Sequence, residues 1–426
     1  MTHSASGGGR PYPIRPITPE EFDDFARVAM HAFHGSPMTS GDRELSLASL
    51  EFDRSLAAFD GQEVVGSAAV YTYQLSVPGY RTLPAAGVTW VSVLPSHRRR
   101  GVLSSMMRRQ LDDIRDRGEP LAVLWASESV IYPRYGYGRS MWHTDFTLHR
   151  GEGVLAATFS GDGRMQSGMR LRITAPEAAL PALAKVYDAV LPSRPGFIAR
   201  NETWWGRAIY DPADSRRDSS PLHCLLAEDE NGPRGYALYS GRSQWDEVSL
   251  PEGVLRVREM IADGPAAGAA LWADLFSRDL TADFHVYKRP VDDPLLFQLA
   301  DPRRARPLLK DALWTRITDV PAALAGRGYS APVDVVIEVQ DRLIPANAGR
   351  WRLAAAGVAA AASCVPTTAA ADVALGITEL GAAYLGGTTL GAMAAAGLVT
   401  ELRPGAVREL SAAMSWDLAP WCPVSF

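Results

Sequence analysis

Lysine is scarce in this sequence of 426 residues, because all but three of its 43 basic residues are arginine. Cysteine is equally scarce. Cys224, Cys364 and Cys422 are odd in number and far apart, so they fit neither a disulfide framework nor a zinc-binding spacing. We therefore expect a reducing, cytoplasmic compartment. The formal net charge of −5 argues against a general nucleic-acid binder and leaves any positive patch to act locally.

Long hydrophobic runs are also missing. The first 13 residues lack the apolar core of a signal peptide, and we expect them to form a disordered lead-in. Residues 353–376 are rich in alanine but contain Pro366 and Asp372, so no membrane span is expected. The histidines, among them His31 and His97, show no metal-ligand spacing, and no metal site is expected.

Residues 1–150 show the pattern of an α/β domain. A strand and a capped helix come first, and two strands then meet at Asp60-Gly61, which predicts a hairpin. Two further strands enclose a helix predicted over about residues 101–117. Its apolar residues recur at helical spacing and would face a sheet: Leu103, Met107, Leu111 and Ile114.

Residues 151–300 repeat this order more faintly, with a strand and helix, a hairpin at Asn231-Gly232 and a strand entering a helix. We interpret this as a degenerate internal duplication. Residues 301–426 follow a proline-rich, charged junction and contain two predicted strands and a helix-rich tail. The sequence therefore predicts an α/β (α+β) protein of three domains.

The stretch "VSVLPSHRRRGVLSSMM", residues 91–107, ends a predicted strand and opens a predicted helix. The first turn of a helix has unpaired N–H groups with a positive dipole behind them. Gly101 lets the backbone approach a ligand closely, and the guanidinium groups of Arg98–Arg100 can grip phosphate oxygens. A pyrophosphate is the natural ligand of such a turn. The alternative is a solvated basic turn.

One strand later, residues 126–138 read "ASESVIYPRYGYG". Together the two stretches resemble the GNAT superfamily of N-acetyltransferases. Its pyrophosphate signature, Arg/Gln-x-x-Gly-x-Gly/Ala, is matched by Arg98 and Gly101 and imperfectly by Leu103. Its second signature, a tyrosine before an aromatic-Gly-aromatic turn, is matched by Tyr132 and residues 135–137.

The resemblance implies acetyl-CoA as cofactor, held where the strand before the arginines parts from its neighbour. Backbone groups there would hold the pantetheine arm and polarise the thioester carbonyl, and Tyr132 would protonate the departing thiolate. The alternative for Tyr132 is a core tyrosine. The cofactor-binding residues implied are Val91, Ser92, Val93, Arg98, Arg99, Arg100, Gly101, Val102, Leu103, Ser104, Ser127 and Glu128.

Over its whole length the chain is similar to the Eis (enhanced intracellular survival) acetyltransferases. This resemblance implies a catalytic GNAT domain over 1–150, a degenerate GNAT-like domain over 151–300 and a sterol-carrier-protein-like domain over 301–426. It also implies a homohexamer, and a general base formed by the terminal carboxylate of Phe426. An α-carboxylate is a weak base, so this role needs desolvation or a relaying water. The aromatic, proline-rich end "WDLAPWCPVSF" favours a docked tail over a disordered one.

Eis enzymes acetylate amines of small polycations such as aminoglycosides, so the resemblance implies a small-molecule amine substrate in an acidic, aromatic cavity. Phe33 and Trp90 match aromatic positions that line it. Gly35 and Ser425 stand where acidic residues are expected, which bears on the aminoglycoside preference more than on acetyl transfer. Two alternatives remain open: a protein-lysine acetyltransferase, and a non-catalytic protein that binds lipid or acyl-CoA.

Overall fold

Three β-sheets organise the chain. A computed structural model describes residues 12–159, 168–358 and 360–426, so most of the predicted lead-in lies outside the described residues. Two sheets have seven strands and the third has five. The predicted α/β class is confirmed. Within the described ranges, no helix combines the length and the apolar character needed to cross a membrane.

The elements follow the predicted order. Up to residue 149 they are β1 (Ile14–Pro16), α1 (Phe22–Phe33), α2 (Ser40–Ser49), β2 (Leu56–Asp60), β3 (Glu63–Val77), β4 (Arg81–Val93), α3 (Val102–Asp116), β5 (Leu121–Trp125), β6 (Gly138–Arg139) and β7 (Trp142–His149). Then come β8 (Arg170–Thr174), α4 (Pro176–Val190), α5 (Glu202–Ile209), β9 (His223–Asp229), β10 (Gly232–Arg242), β11 (Gly253–Ala262), α6 (Pro265–Phe276), β12 (Thr281–Pro290), α7 (Leu295–Gln298) and β13 (Leu308–Asp311). The last part contains β14 (Leu313–Ile317), α8 (Val320–Gly326), β15 (Val333–Gln340), β16 (Gly349–Ala355), β17 (Ser363–Pro366), β18 (Val373–Gly376), α9 (Ile377–Ala383), α10 (Leu390–Ala395), β19 (Val399–Glu401) and α11 (Ala406–Met414).

The first sheet has the strand order β1-β2-β3-β4-β5-β14-β6. The predicted hairpin between β2 and β3 is confirmed, with Gly61 at φ +63° in its turn. Side chains of successive strand residues point to opposite faces. Tyr71 and Tyr73 therefore share the face covered by α1, whereas Val70 packs with Met107 and Ile114 of α3 on the other face.

The first two sheets exchange strands. β7 pairs with β12 and β13 in the second sheet, whose order is β13-β7-β12-β11-β10-β9-β8. In return β14 enters the first sheet between β5 and β6. Near residues 150 and 300, strands thus join a different sheet from the one that the expected domain division would give them. The sequence pattern of a strand does not encode which strand it pairs with. The boundaries themselves stay predictions.

The second sheet contains the predicted hairpin, β9 and β10, with Gly232 at φ +113° in its turn. β11 leads into α6, and the two strands around that helix, β11 and β12, are parallel. This repeats the strand–helix–strand unit of β4, α3 and β5. The third sheet, β17-β16-β15-β18-β19, contains both predicted strands, β15 and β16.

A buried ion pair fastens β14 to the third sheet. The guanidinium of Arg316 lies 2.8 Å from the carboxylate of Asp341, and both side chains are almost fully buried. Asp341 also accepts hydrogen bonds from the N–H groups of Leu343 and Ile344 and from the Asn347 amide, each at 3.1 Å. Burying two charges is costly, and the hydrogen bonds that Asp341 accepts offset part of this cost.

We expect Asp341→Ala to lower the free energy of unfolding by about 3–5 kcal/mol, because it leaves the Arg316 charge buried without its counter-ion. Urea denaturation followed by tryptophan fluorescence measures this. Asp334→Ala is the matched control, since Asp334 pairs with Arg352 on the exposed face of the third sheet. That change should leave the unfolding midpoint nearly unchanged. Equal losses in the two variants would contradict the role given to the buried pair.

Candidate active site

β4 and β5 are paired over only three residues and then part. Their parallel pairing runs from Ala85 to Gly87, although β4 continues to Val93. The register between β3 and β4 shifts at this point, so that Trp90 and Val91 both oppose Ala68 in a β-bulge. A bulge bends its strand. The result is a gap between β4 and β5, as the resemblance implied.

One edge of this gap carries unpaired backbone groups. The N–H of Leu94 donates to the carbonyl of Val65 on β3 at 2.9 Å. Since N–H groups alternate along a strand, the N–H of Val93 points to the opposite edge, which β5 has left. The Ser67 hydroxyl donates to the Trp90 carbonyl at 2.8 Å and lies 2.5 Å from the Ser92 hydroxyl, so it braces the bulge.

The arginine stretch forms an open cationic turn at the start of α3. Arg98–Arg100 are exposed, and in the described part of the chain none of them pairs with a carboxylate. Arg99 has φ +62° and Gly101, the residue before α3, has φ +84°. The first helical hydrogen bond joins the Ser105 N–H to the Gly101 carbonyl at 3.0 Å. The N–H groups before Ser105 are therefore available to an anion.

The aromatic-Gly-aromatic stretch is a tight turn whose glycine has a structural reason. Gly136 has φ +80°, and a Cβ there would lie 2.8 Å from both the guanidinium carbon of Arg316 and the side chain of Ile377. The preceding Tyr135 hydroxyl lies 3.1 Å from the hydroxyl of Ser104 in the first turn of α3. The two sequence motifs are thus joined directly.

Tyr132 lies on the α3 face of the first sheet. Its side chain is 5% exposed and packs edge-on against Tyr137, with ring centroids 6.0 Å apart. Burial raises the pKa of its phenol to about 12, while a hydrogen bond with Ser127 offsets part of that shift. The phenol therefore keeps its proton over the whole neutral and mildly alkaline range. Ser127 and Glu128 are exposed just beyond β5.

The C-terminal tail is docked between the first two sheets. Trp421, Cys422 and Val424 are buried. The Trp421 N–H donates to the Pro195 carbonyl at 2.8 Å, and the indole N–H of Trp125, at the end of β5, donates to the Val424 carbonyl at 3.1 Å. A docked end is what the residue composition of the tail favoured.

The last residue lies where β4 and β5 part. The Phe426 ring packs edge-on against Tyr73, with centroids 5.0 Å apart. The Tyr73 ring in turn packs directly over Gly87, where an added Cβ would lie 2.1 Å from the ring. Gly87 belongs to the last paired position before the gap. Phe426 therefore lies on the α1 face of the sheet and Tyr132 on the α3 face.

The two aromatic residues expected to line the substrate site differ in position. Trp90 sits in the bulge at φ +54°, packs against Phe25 at 5.7 Å and donates its indole N–H to the Tyr71 hydroxyl at 3.3 Å. Phe33 is 51% exposed at the end of α1. Trp90 therefore lies beside the gap, whereas the structure does not place Phe33 there. Their role in substrate binding stays a prediction.

Sequence reasoning missed a cavity of about 1040 Å³ beside the chain end. Its walls come from α2, α5, the second sheet and tail residues 423–425. It is lined by more basic than acidic side chains, and neither Phe33 nor Trp90 belongs to its lining, so it is not the acidic, aromatic cavity that the resemblance implied. The basic residues without a carboxylate partner among the described residues are Arg207, Arg217, Arg242, Arg256, Arg258 and Lys288. Isolated arginines spread over several elements give no signal in a sequence.

The corresponding gap of the second sheet is filled by the chain itself. β11 and β12 pair from Gly253 to Val257 and then part. Arg289 bridges the opening: its guanidinium donates to the Met260 carbonyl and binds the Asp293 carboxylate at 2.6 Å. The Trp421 ring of the tail lies 4.7 Å from this guanidinium. The second copy therefore keeps the fold, while its gap is closed to a ligand.

Comparison with known proteins agrees with this architecture. Residues 13–140 match the model of an acetyltransferase (GNAT) domain, and residues 196–317 match a second acetyltransferase (GNAT) domain model. Residues 320–423 match a sterol carrier protein domain. The expected succession of two GNAT-like domains and a sterol-carrier-like domain is thereby confirmed.

Relatives match over most of the chain. An uncharacterised N-acetyltransferase of Streptomyces avermitilis is 42% identical, covering 97% of this chain and 99% of its own. The N-acetyltransferase Eis of Mycobacterium bovis is 34% identical over 84% of this chain and 85% of its own. The crystal structure of Eis1 from Mycobacterium abscessus superposes with a TM-score of 0.81 at 32% identity, covering 97% of this chain and 100% of that one.

We expect Gly101→Ala to weaken acetyl-CoA binding by about tenfold or more, because it strains the turn and adds a methyl group before the first helical N–H groups. Isothermal titration calorimetry measures the dissociation constant. Gly118→Ala is the matched control. Gly118, just beyond α3, has φ +72°, and like Gly101 it has no described atom within 4 Å of an added Cβ. Equal affinities in both variants would contradict the assignment of this turn.

Proposed function

The chain belongs to the Eis family of GNAT N-acetyltransferases, and we propose that it transfers the acetyl group of acetyl-CoA directly to a small-molecule amine in a ternary complex. One observation carries this proposal. The gap between β4 and β5 has a protonated phenol on one face of the sheet and the chain terminus on the other. A thioester in that gap would be reached by an acid from one side and by an amine from the other.

The residues around the gap fit acetyl-CoA. The turn from Arg98 to Ser104 offers the pyrophosphate free helical N–H groups and three guanidinium groups that have no carboxylate partner among the described residues. The open edge of β4 from Val91 to Val93 offers backbone groups to the pantetheine amides. Ser127 and Glu128 would border the other side. The cofactor supplies an activated acyl group, and the protein supplies position and proton transfer.

Three groups of the chain divide the chemistry. The N–H of Val93 stabilises negative charge on the carbonyl oxygen. The terminal carboxylate of Phe426 accepts a proton from the attacking amine, directly or through a water. The amine nitrogen bonds to the acetyl carbon, the carbon–sulfur bond breaks, and Tyr132 donates its proton to the departing thiolate. Since the pKa of this phenol is about 12, its donor form is lost only as the pH rises towards that value.

The identity of the amine is the open part of this function. A polycationic acceptor such as an aminoglycoside stays a prediction that the basic cavity beside the chain end does not favour. A cytoplasmic location and a homohexamer likewise stay predictions. A non-catalytic role as a lipid or acyl-CoA carrier is disfavoured by the intact turn and by Tyr132, since the second sheet shows a gap that has been closed.

We expect Tyr132→Phe to lower kcat by about 10²- to 10⁴-fold, because it removes the acid that protonates the thiolate. Acetyl-CoA affinity should remain, since the ring is kept. A thiol-detection assay of CoA release measures the rate. Tyr137→Phe is the control from the same turn, because its buried hydroxyl has no hydrogen-bond partner among the described residues. A Tyr132→Phe enzyme as fast as the Tyr137→Phe enzyme would refute the assignment.

We also expect a peptide tag added after Phe426 to reduce kcat sharply while acetyl-CoA still binds, because the tag converts the terminal carboxylate into an amide. The same tag at the N-terminus controls for its bulk. Phe426→Leu keeps the carboxylate and changes only the ring, so it should retain more activity than the tagged enzyme. Full activity of the C-terminally tagged protein would show that the carboxylate has no role.

A further inference from the structure

The cavity beside the chain end is separate from the turn proposed for the cofactor. None of its lining residues belongs to the stretch from Arg98 to Ser104 or to Val91–Val93. With a volume of about 1040 Å³ it is large enough for a complete small molecule. Its position therefore makes it a candidate for the site of the acetyl acceptor, and its chemistry should describe that acceptor.

Most acidic residues of the cavity already pair with arginines of the chain. Although burial by itself would raise the pKa of Glu259, the guanidinium of Arg200 at 2.5 Å holds it below its ordinary value. The Tyr236 hydroxyl also donates to Glu259 at 2.6 Å. Asp211 pairs with Arg216 at 2.8 Å. Only Asp42 remains without a basic partner among the described residues, so the cavity has little to offer an ammonium group.

Several basic residues of the cavity, by contrast, have hydrogen-bond donors that the described part of the chain does not use. Arg256 makes one long hydrogen bond, 3.3 Å to the Ser219 hydroxyl. Arg242 donates to the Gln244 amide oxygen at 2.6 Å, but its buried Nε–H has no partner among the described residues. Within the described ranges, Arg258 donates only to backbone carbonyls. A buried guanidinium donor left unpaired is costly unless a ligand completes it.

Strand geometry places two of these arginines on one face. Ser240 and Arg242 continue the face of β10 on which Tyr236 and Leu238 pack against α4. Arg256 lies opposite Ser240 on β11. The two arginines thus lie diagonally across neighbouring strands, on the same face, where the sheet extends beyond its apolar cluster. This arrangement suits the several oxygens of a single oxyanion.

The cavity adjoins the proposed base. Ser425, one residue before the chain end, is part of its wall and accepts a hydrogen bond from the Lys288 ammonium at 2.6 Å. Trp204, another wall residue, packs edge-on against Tyr71 at 5.0 Å and lies 5.2 Å from Tyr73, the ring that contacts Phe426. A molecule in the cavity can therefore extend along this wall towards the gap.

We infer that the acceptor is an amine that also carries an oxyanion, which Arg242 and Arg256 bind while the amine reaches the chain end. Phosphate, sulfate and carboxylate share the required chemistry. The inference rests on the proposed acetyl transfer. It goes beyond that transfer by assigning an anion site to the second sheet, and it separates this protein from acetyltransferases of polycations.

Matched acceptors test the inference. Aminoalkyl phosphates of two, four and six carbons are compared with the aminoalcohols and the diamines of the same length, at constant ionic strength. We expect kcat/KM for the best phosphate to exceed that of its alcohol and diamine by about tenfold or more, mainly through KM. Sulfate and carboxylate analogues of the best length then distinguish the kind of oxyanion.

Variants locate the effect. Arg242→Gln and Arg256→Gln should each raise KM for the phosphate by about tenfold, whereas KM for the aminoalcohol, which has no oxyanion, should change much less. Circular dichroism checks that the variants fold. Arg350→Gln is the matched control, because Arg350 pairs with Glu338 on the exposed third sheet. The inference is overturned if kcat/KM for the diamine or the aminoalcohol equals that for the phosphate. It is also overturned if the variants change kcat/KM for all acceptors by the same factor.

Binding without turnover separates this inference from the proposed function. Calorimetry with the aminoalkyl phosphate alone should show saturable binding that is lost in Arg242→Gln. Such binding without acetyl transfer to any amine would contradict the proposed function and uphold the anion site. Acetyl transfer without phosphate binding or preference would uphold the proposed function and overturn the anion site.

Discussion

The parting of β4 and β5 is the constraint on which the rest of the site depends. It follows from a bulge in which Trp90 and Val91 share one partner, so the parallel pairing ends at Gly87. A closed sheet would separate its two faces completely. In the proposed reaction, the opening would let one thioester reach a buried phenol on the α3 face and the chain terminus on the α1 face. The proposed acid and base would thus approach the thioester from opposite faces of the sheet.

Distant parts of the chain hold this opening in place. Arg316, from the strand exchanged into the first sheet, lies beneath Gly136 and pairs with Asp341 of the third unit. The tail then runs from the sterol-carrier-like domain to β5, where the Trp125 indole N–H donates to the Val424 carbonyl. The second sheet contributes no open gap of its own, since Arg289 fills it. Its part is to anchor the tail and to form the cavity wall.

Electrostatics divide the site into regions with different tasks. The turn at Arg98–Arg100 is exposed, and its arginines have no carboxylate partner among the described residues, as suits a highly charged ligand that arrives from solvent. In the cavity beside the chain end, the acids are largely neutralised by Arg200 and Arg216. The gap between these two regions is lined by aromatic and backbone groups. In the proposed reaction, charge on the two substrates would set their orientation, while the reacting atoms would meet in a less polar setting.

Much of the local structure could be predicted from the sequence, because it depends on short-range patterns. The apolar period of Leu103, Met107, Leu111 and Ile114 determines α3, and Asp60-Gly61 determines the first hairpin. The two motifs around Arg98 and Tyr132 identify the family, since each lies within a dozen residues. Tertiary structure alone decided which strands pair, why Gly136 must lack a side chain and which arginines meet in the cavity. These features join residues more than a hundred positions apart, or unite side chains from separate elements, and a single sequence carries no period or spacing that records such contacts.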